Sequence, residues 1–233
     1  MLTEVRPASC MPDACFCEAI RNHGIMQPAN TWSSLAFLIV AGMILLRWTR
    51  NRHIASHATY PILLAITLLV VGFGSAFFHA TLSFNGQFVD VLGMYFIATF
   101  ALLYGIARLR RMMSTTLVTA FLVSNAVLAA ILYWAPLFRR VVFGVLIAAA
   151  LVVEISISRR MTQRDAASKL KTAIALLGLG FAIWIVDYTR LICSPGSWIQ
   201  GHAIWHVLGA LSAWYLYLYY ENQATMMDSS PPV

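Results

Sequence analysis

His202 and His206 are separated by three residues, so on a helix both imidazoles fall on one face, as two metal ligands on a helix require. Ser75 and His79 repeat that spacing earlier in the chain. A Zn²⁺ ion held by three His keeps a fourth position open for water and lowers the pKa of that water toward ~7, the arrangement of a hydrolase. A nearby carboxylate would then move protons, and Asp90 follows His79 at close sequence range. Taken singly, a His of this kind is more often a hydrogen-bonded packing residue. Three converging on one side of a membrane point instead to a metal. His53 and His57 show the same spacing but lie in a basic loop where solvated imidazoles cost little, and they read as surface residues.

The elements that must position these residues are apolar. The 233-residue chain is 60% hydrophobic and only 11% charged, where a soluble domain carries roughly 25% charged residues. This excludes a water-soluble globular protein and a second soluble domain, and it predicts an all-α integral membrane protein. Runs without charge give seven spans: Asn30 to Trp48, Tyr60 to Thr81, Phe88 to Ala107, Thr115 to Trp134, Val141 to Ile157, Thr172 to Ile192 and Gly201 to Tyr220. The fifth, short and containing Glu154, is the weakest. Thr81, Ser83, Asn85 and Gly86 mark the turn between the second and third, with Asn85 and Gly86 supplying the backbone freedom. The chain thus divides into an extracytoplasmic segment (1–29), a seven-helix transmembrane domain (30–220) and a cytoplasmic tail (221–233), whose end from Met226 reads as frayed. No internal repeat is visible. The first thirty residues hold no apolar core long enough for a signal peptide, so the amino terminus reads as mature polypeptide.

Sixteen Lys and Arg against nine Asp and Glu give a formal charge of +7. Their placement in short loops reads as topology and not as a nucleic-acid surface. Arg47, Arg50 and Arg52 follow the first span, Arg108, Arg110 and Arg111 the third, and Arg159, Arg160, Arg164, Lys169 and Lys171 the fifth. Basic residues accumulate on the cytoplasmic side, so the amino terminus lies outside and the carboxy terminus inside. Ionisable side chains at membrane depth cost at least ~2.5 kcal/mol and need a partner or a function. Of His79, Asp90, Glu154, Asp187, His202 and His206, this topology gathers all but Glu154 near the outer surface. Glu154 sits at the inner end, where Arg159 and Arg160 offer ion pairing. A six-span chain would instead separate His79 from His202.

The run Gly72, Gly74, Ser75, Phe78, His79, Ala80, Thr81, Leu82, followed by Asp90, resembles the alkaline ceramidase family, as does His202, Trp205, His206 in the last span. Cys17 with Glu18, Asn30, Thr31 and Ser33, and Trp184, Asp187 and Cys193 add to the match, which extends from Cys17 to Tyr220. The wider superfamily also holds adiponectin-receptor-like proteins, so membership alone leaves the substrate open. The resemblance implies zinc ligation by His79, His202 and His206, with Asp90 as the proton-transferring group and Ser75 holding water or the developing oxyanion. It implies a zinc-dependent intramembrane amidase that takes a ceramide-like membrane lipid and releases a fatty acid and a sphingoid base. The active site would then lie near the extracytoplasmic face of a multi-pass protein, in the inner or plasma membrane of a bacterium or in the ER or Golgi of a eukaryote. Two alternatives stand beside it: a zinc hydrolase of another lipid ester or amide, and a seven-helix receptor or lipid-binding protein with structural zinc. The second would require a fourth protein ligand.

Calcium is a further candidate cofactor, with Glu18 as a ligand. The resemblance weakens here, because Gln27 stands where the family tends to have Glu and Cys15 where a carboxylate is expected, and calcium wants several oxygen ligands. The competing role for Glu18 is a hydrogen-bond acceptor at the start of the first helix. Cys10, Cys15, Cys17 and Cys193 all fall on the outer side, where disulfides are permitted. Spacing cannot choose among the connectivities, or exclude unpaired thiols, whereas the resemblance favours Cys17 with Cys193, tying the amino-terminal segment over the mouth of the site.

Overall fold

The computed structural model describes residues 6–11, 15–51, 59–159 and 164–229. The described residues form helices α1 (Pro28–Ser33), α2 (Leu35–Arg50), α3 (Thr59–Thr81), α4 (Phe84–Arg110), α5 (Ser114–Trp134), α6 (Arg139–Arg159), α7 (Arg164–Tyr188) and α8 (Gly201–Ser229). Pro28, whose missing N–H is no loss at a first helical turn, opens α1. Ser33 and Ser34 both donate their hydroxyls back to the Asn30 carbonyl, at 2.9 and 3.0 Å, where α1 bends into α2. Such back-bonding bends helices.

Six helical segments are long and apolar enough to cross a membrane: Pro28–Arg50, Thr59–Thr81, Phe84–Arg110, Ser114–Trp134, Pro136–Arg159 and Arg164–Tyr188. The protein is therefore a multi-pass helical membrane protein. The fifth of these, the weakest by sequence, is a full helix of 21 residues in α6, preceded by a short 3-10 turn at Pro136–Phe138. The sixth extends from Arg164 to Tyr188 and so stops short of the predicted Ile192, because Arg190 takes a left-handed backbone conformation. The seventh predicted span is a helix, but it is less apolar than the other six: His202, His206 and four tyrosines interrupt its aliphatic residues. It continues beyond Tyr220 through residues expected in the tail.

The expected turn between α3 and α4 is tighter than the sequence suggested. Leu82 adopts the left-handed conformation, and the Ser83 hydroxyl accepts from the Gly86 N–H at 3.1 Å as an N-cap. Asn85 and Gly86 lie inside the first turn of α4. Gly86 is needed for contact and not for flexibility: a Cβ there would lie 2.8 Å from the Phe78 Cα. The amino-terminal segment is stitched across this turn by Ala8 N–H to Leu82 O and Phe84 N–H to Arg6 O, at 2.9 and 2.8 Å.

At the other end of the bundle, Glu154 is buried and accepts from the Arg108 guanidinium and the Tyr220 hydroxyl. Its partner is therefore Arg108 from α4 and not the expected Arg159, which follows on the same helix; Arg160 lies outside the described residues. Arg108 reaches Glu154 because Gly105 sits against Val153 and Glu154, letting α4 and α6 approach closely. Arg47 at the end of α2 pairs with Glu221 on α8 at 2.8 Å. The loop holding His53 and His57 also falls outside the described residues.

Candidate active site

His79 occupies the last turns of α3, and His202 and His206 the first turns of α8; all three are buried. One nitrogen from each lies within 4.8 Å of the others, a group that could hold a metal ion. His202 Nε2 and His79 Nε2 are 3.1 Å apart, and His206 Nε2 is 3.2 Å from the Ser75 hydroxyl. The far nitrogens explain the orientation. His79 Nδ1 donates to Gln27 Oε1 at 2.9 Å. His206 Nδ1 lies 2.8 Å from the Ser33 hydroxyl, which gives its own proton to Asn30 O and must therefore accept from the imidazole. Both Nε2 atoms are left with lone pairs turned into the cluster. Partners of this kind fix tautomer and ring direction in metal-binding histidines.

His202 is held differently. Its ring stacks on Phe16 with centroids 3.7 Å apart, while Nδ1 is buried without a partner among the described residues. Its backbone N–H donates to Asp187 Oδ2 at 3.1 Å, and the other oxygen of that carboxylate accepts from the Cys17 N–H, also at 3.1 Å. One buried acid at the end of α7 thereby fastens the start of α8 and the amino-terminal segment. The disulfide Cys17–Cys193 closes the same junction, and Cys10–Cys15 forms a second. With Cys193 so engaged, it offers no fourth ligand. The donor set of three imidazoles fits a borderline-soft cation such as zinc better than a hard one.

Both Glu18 oxygens are already in use, accepting from the Ala29 and Asn30 N–H groups at 2.7 and 2.9 Å at the start of α1. Burial pushes this carboxyl above its ordinary range, and the two backbone bonds and Arg21 partly offset the push. The side chain thus fills the helix-start acceptor role weighed against calcium. Gln27, fully buried, is a site residue that sequence reasoning noted only for the acid it replaces; its isolated position before Pro28 carries no periodic signal. Phe16 and the His206-orienting role of Ser33 were missed for the same reason.

Asp90 stands in the second turn of α4, half-buried, and faces the Ser75 side chain across the cavity end that both line. Ser75, Asp90, His202 and His206 line one end of a cavity of about 610 Å³. Ala150, Leu170 and Glu154 line its other end, and its walls come from α4, α6, α7 and α8, with α6 and α7 touching each other little. Trp184 lines this space, whereas Phe73 and Phe77 point outward and Phe96 packs against the core.

A family model described as Ceramidase matches residues 14–231. The chain belongs to the ceramidase family. It is a hydrolase of the amide-cleaving class. Among relatives of this ceramidase-family chain, an alkaline ceramidase of Drosophila melanogaster is 23% identical over 232 residues, 94% of this chain and 81% of that protein. The Dictyostelium discoideum protein dcd3B is 26% identical over 172 residues, covering 64% of this chain and 59% of its own. An alkaline ceramidase of Caenorhabditis briggsae is 24% identical over 203 residues, 83% of this chain and 73% of that one.

Proposed function

We propose that the protein is a zinc-dependent amidase that cleaves ceramide or a closely related N-acyl sphingolipid inside the membrane. The observation that carries this reading is the placement of the three-His cluster, Asp90 and Ser75 at one end of a largely apolar cavity. Zn²⁺ held by His79, His202 and His206 supplies Lewis acidity, which polarises an acyl carbonyl and makes water a competent nucleophile near neutral pH.

The chain's own residues supply the rest. The Asp90 carboxylate takes a proton from the attacking water and returns it to the amide nitrogen, so that the C–N bond breaks to a fatty acid and a free amine. The Ser75 hydroxyl donates toward the oxyanion that develops on the carbonyl. Gln27 and Ser33 hold the imidazoles in the required tautomers. The cavity receives hydrocarbon and keeps bulk water from the amide.

Seven crossings with the amino terminus outside suit this reading. α8 carries His202 at one end of the bundle and Glu221, paired with Arg47, at the other. Nineteen residues of helix separate them, roughly 28 Å at 1.5 Å per residue, about one hydrocarbon core. That length supports a seventh crossing by α8 despite its tyrosines, and the basic loops support a cluster at the extracytoplasmic surface.

The test is metal analysis of purified protein together with fatty-acid release from N-acyl lipids. About one zinc per chain is expected, lost in His202→Ala and retained in Asp90→Asn. Asp90→Asn should lower turnover by about 10² to 10⁴, and Ser75→Ala by up to about 10² to 10³. An Asp90→Asn protein with full zinc and full turnover refutes the assigned base. Absence of zinc from carefully prepared wild type ends the proposal.

A further inference from the structure

The cavity does not fade into the lipid at its inner end; it reaches a charged side chain. Glu154 and Arg108 are among the most deeply buried ionisable groups of the inner half, their side chains 3% and 8% exposed. Glu154 Oε1 accepts from Arg108 and from the Tyr220 hydroxyl, while Oε2 has no hydrogen-bond partner among the described residues. The Arg108 guanidinium lies against the Tyr104 and Tyr220 rings, 4.9 and 4.7 Å from their centroids, and Tyr104 stacks on Phe100. The group is thus clamped from α4, α6 and α8. An ion pair is not needed here for stability, since well-packed apolar residues of similar volume are often as stable as a buried pair or more so.

Two helices give nearly the same depth for the space above it. Along α6 the lining runs from Arg139 to Glu154, and along α8 from His202 to Leu216. These fifteen and fourteen residues span roughly 22 and 21 Å at 1.5 Å per residue. Between these limits the wall includes Ile147, Ala150, Ala173, Leu177, Gly209 and Ala213, small or aliphatic residues suited to a linear alkyl chain. From these features we infer that the Arg108–Glu154 pair with Tyr220 is the floor of an acyl slot and sets the longest N-acyl chain the protein accepts. A chain whose methyl end reaches the floor meets a close-packed ionic group, with the Glu154 carboxylate itself shut away from water, and finds neither space nor apolar surface for further methylenes. One that stops short keeps the full gain of apolar burial. The inference rests on the N-acyl lipid reading for the identity of the substrate, but the slot and its floor are testable without catalysis.

The experiment is displacement of a fluorescent fatty acid from metal-stripped protein by saturated fatty acids of increasing length, paired with relative kcat/KM for the matching N-acyl sphingosines on metal-loaded protein. While the slot fills, each added methylene should tighten displacement by about fourfold; the gain should stop at one length and reverse beyond it. Ala150→Phe, one turn above Glu154, should move that limit to shorter chains in both assays. The double change Arg108→Met with Glu154→Leu removes both charges together, so neither is left unpaired, and should move the limit to longer chains. A limit unmoved in both variants at wild-type metal content and thermal stability overturns the floor. Displacement with the expected limit but no release of fatty acid from any N-acyl sphingosine supports the floor and overturns the amidase reading, so the two failures separate.

Discussion

The Gln27 carboxamide has one job its position makes unambiguous: its oxygen accepts the His79 Nδ1 proton at 2.9 Å while its nitrogen donates to the Glu18 carbonyl at 3.2 Å. The amide cannot flip without setting its NH₂ against the imidazole N–H, so the His79 lone pair stays aimed at His202 and His206. Loss of such an outer partner typically lowers metal affinity 10- to 100-fold, on the order of 1 to 3 kcal/mol. Gln27→Ala should therefore give up zinc to a competing chelator at correspondingly lower chelator concentration, and Gln27→Glu, which keeps an acceptor at the same reach, should hold it. Equal chelator resistance in Gln27→Ala and wild type would show that packing alone orients His79.

At the scale of elements, the site depends on how closely α3 and α4 pack, since α3 carries Ser75 and His79 and α4 carries Asp90. Gly74 faces Val89, where a Cβ would lie 3.0 Å from backbone carbon, and Gly93 faces Val71, where it would lie 2.9 Å from Cα. Gly86 meets the Phe78 backbone at 2.8 Å, again an obstacle that no rotamer change removes. Gly86→Ala should accordingly destabilise the fold by about 1 to 3 kcal/mol through overpacking and reduce turnover by shifting Asp90 relative to Ser75. Gly178, a helical position in α7, has open space where a Cβ would stand, with no heavy atom within 4 Å. Gly178→Ala should gain up to about 1 kcal/mol from helix propensity. Thermal unfolding in detergent compares the two; a Gly86→Ala protein as stable as Gly178→Ala would mean that the helices can separate without penalty.

For the whole molecule, the end that carries the histidines is fixed covalently and by hydrogen bonds, and the opposite end by ion pairs. The two disulfides and the Asp187 clamp gather the amino-terminal segment, α7 and α8 around the histidines. Arg47–Glu221 and Arg108–Glu154 tie α2 to α8 and α4 to α6 at the opposite end. Because all four cysteines are paired, an introduced thiol reports its own side of the membrane. Asn85 and Arg110 are exposed at the two ends of α4. A cysteine at Arg110 should react with an impermeant reagent only from the cytoplasmic face, and one at Asn85 only from the other. Labelling of both from a single side breaks the crossing count; reversed labelling inverts the orientation.

Helical spacing and apolar run length are local properties, and they alone determined that the chain is helical and membrane-embedded, that His202 and His206 share a face, and where most helices lie. The residue types further along, His79, Asp90 and Ser75, were legible as chemistry because charge and imidazole are expensive at membrane depth. Whether they meet was not legible. That depended on α3 and α8 ending on one side of the bundle, which the count of spans implied but could not establish for a final helix as rich in tyrosine as α8. The partners of the site residues were further out of reach. Gln27 is 52 positions from His79, Ser33 is 173 from His206, and Arg108 is 46 from Glu154. Arg159, on Glu154's own helix, was the natural expectation because sequence reveals neighbours along one helix and not those across an interface. Only the tertiary structure, by bringing glycine-lined helix faces together and laying an aperiodic amino-terminal segment over them, decided which polar atoms satisfy one another and where the cavity ends.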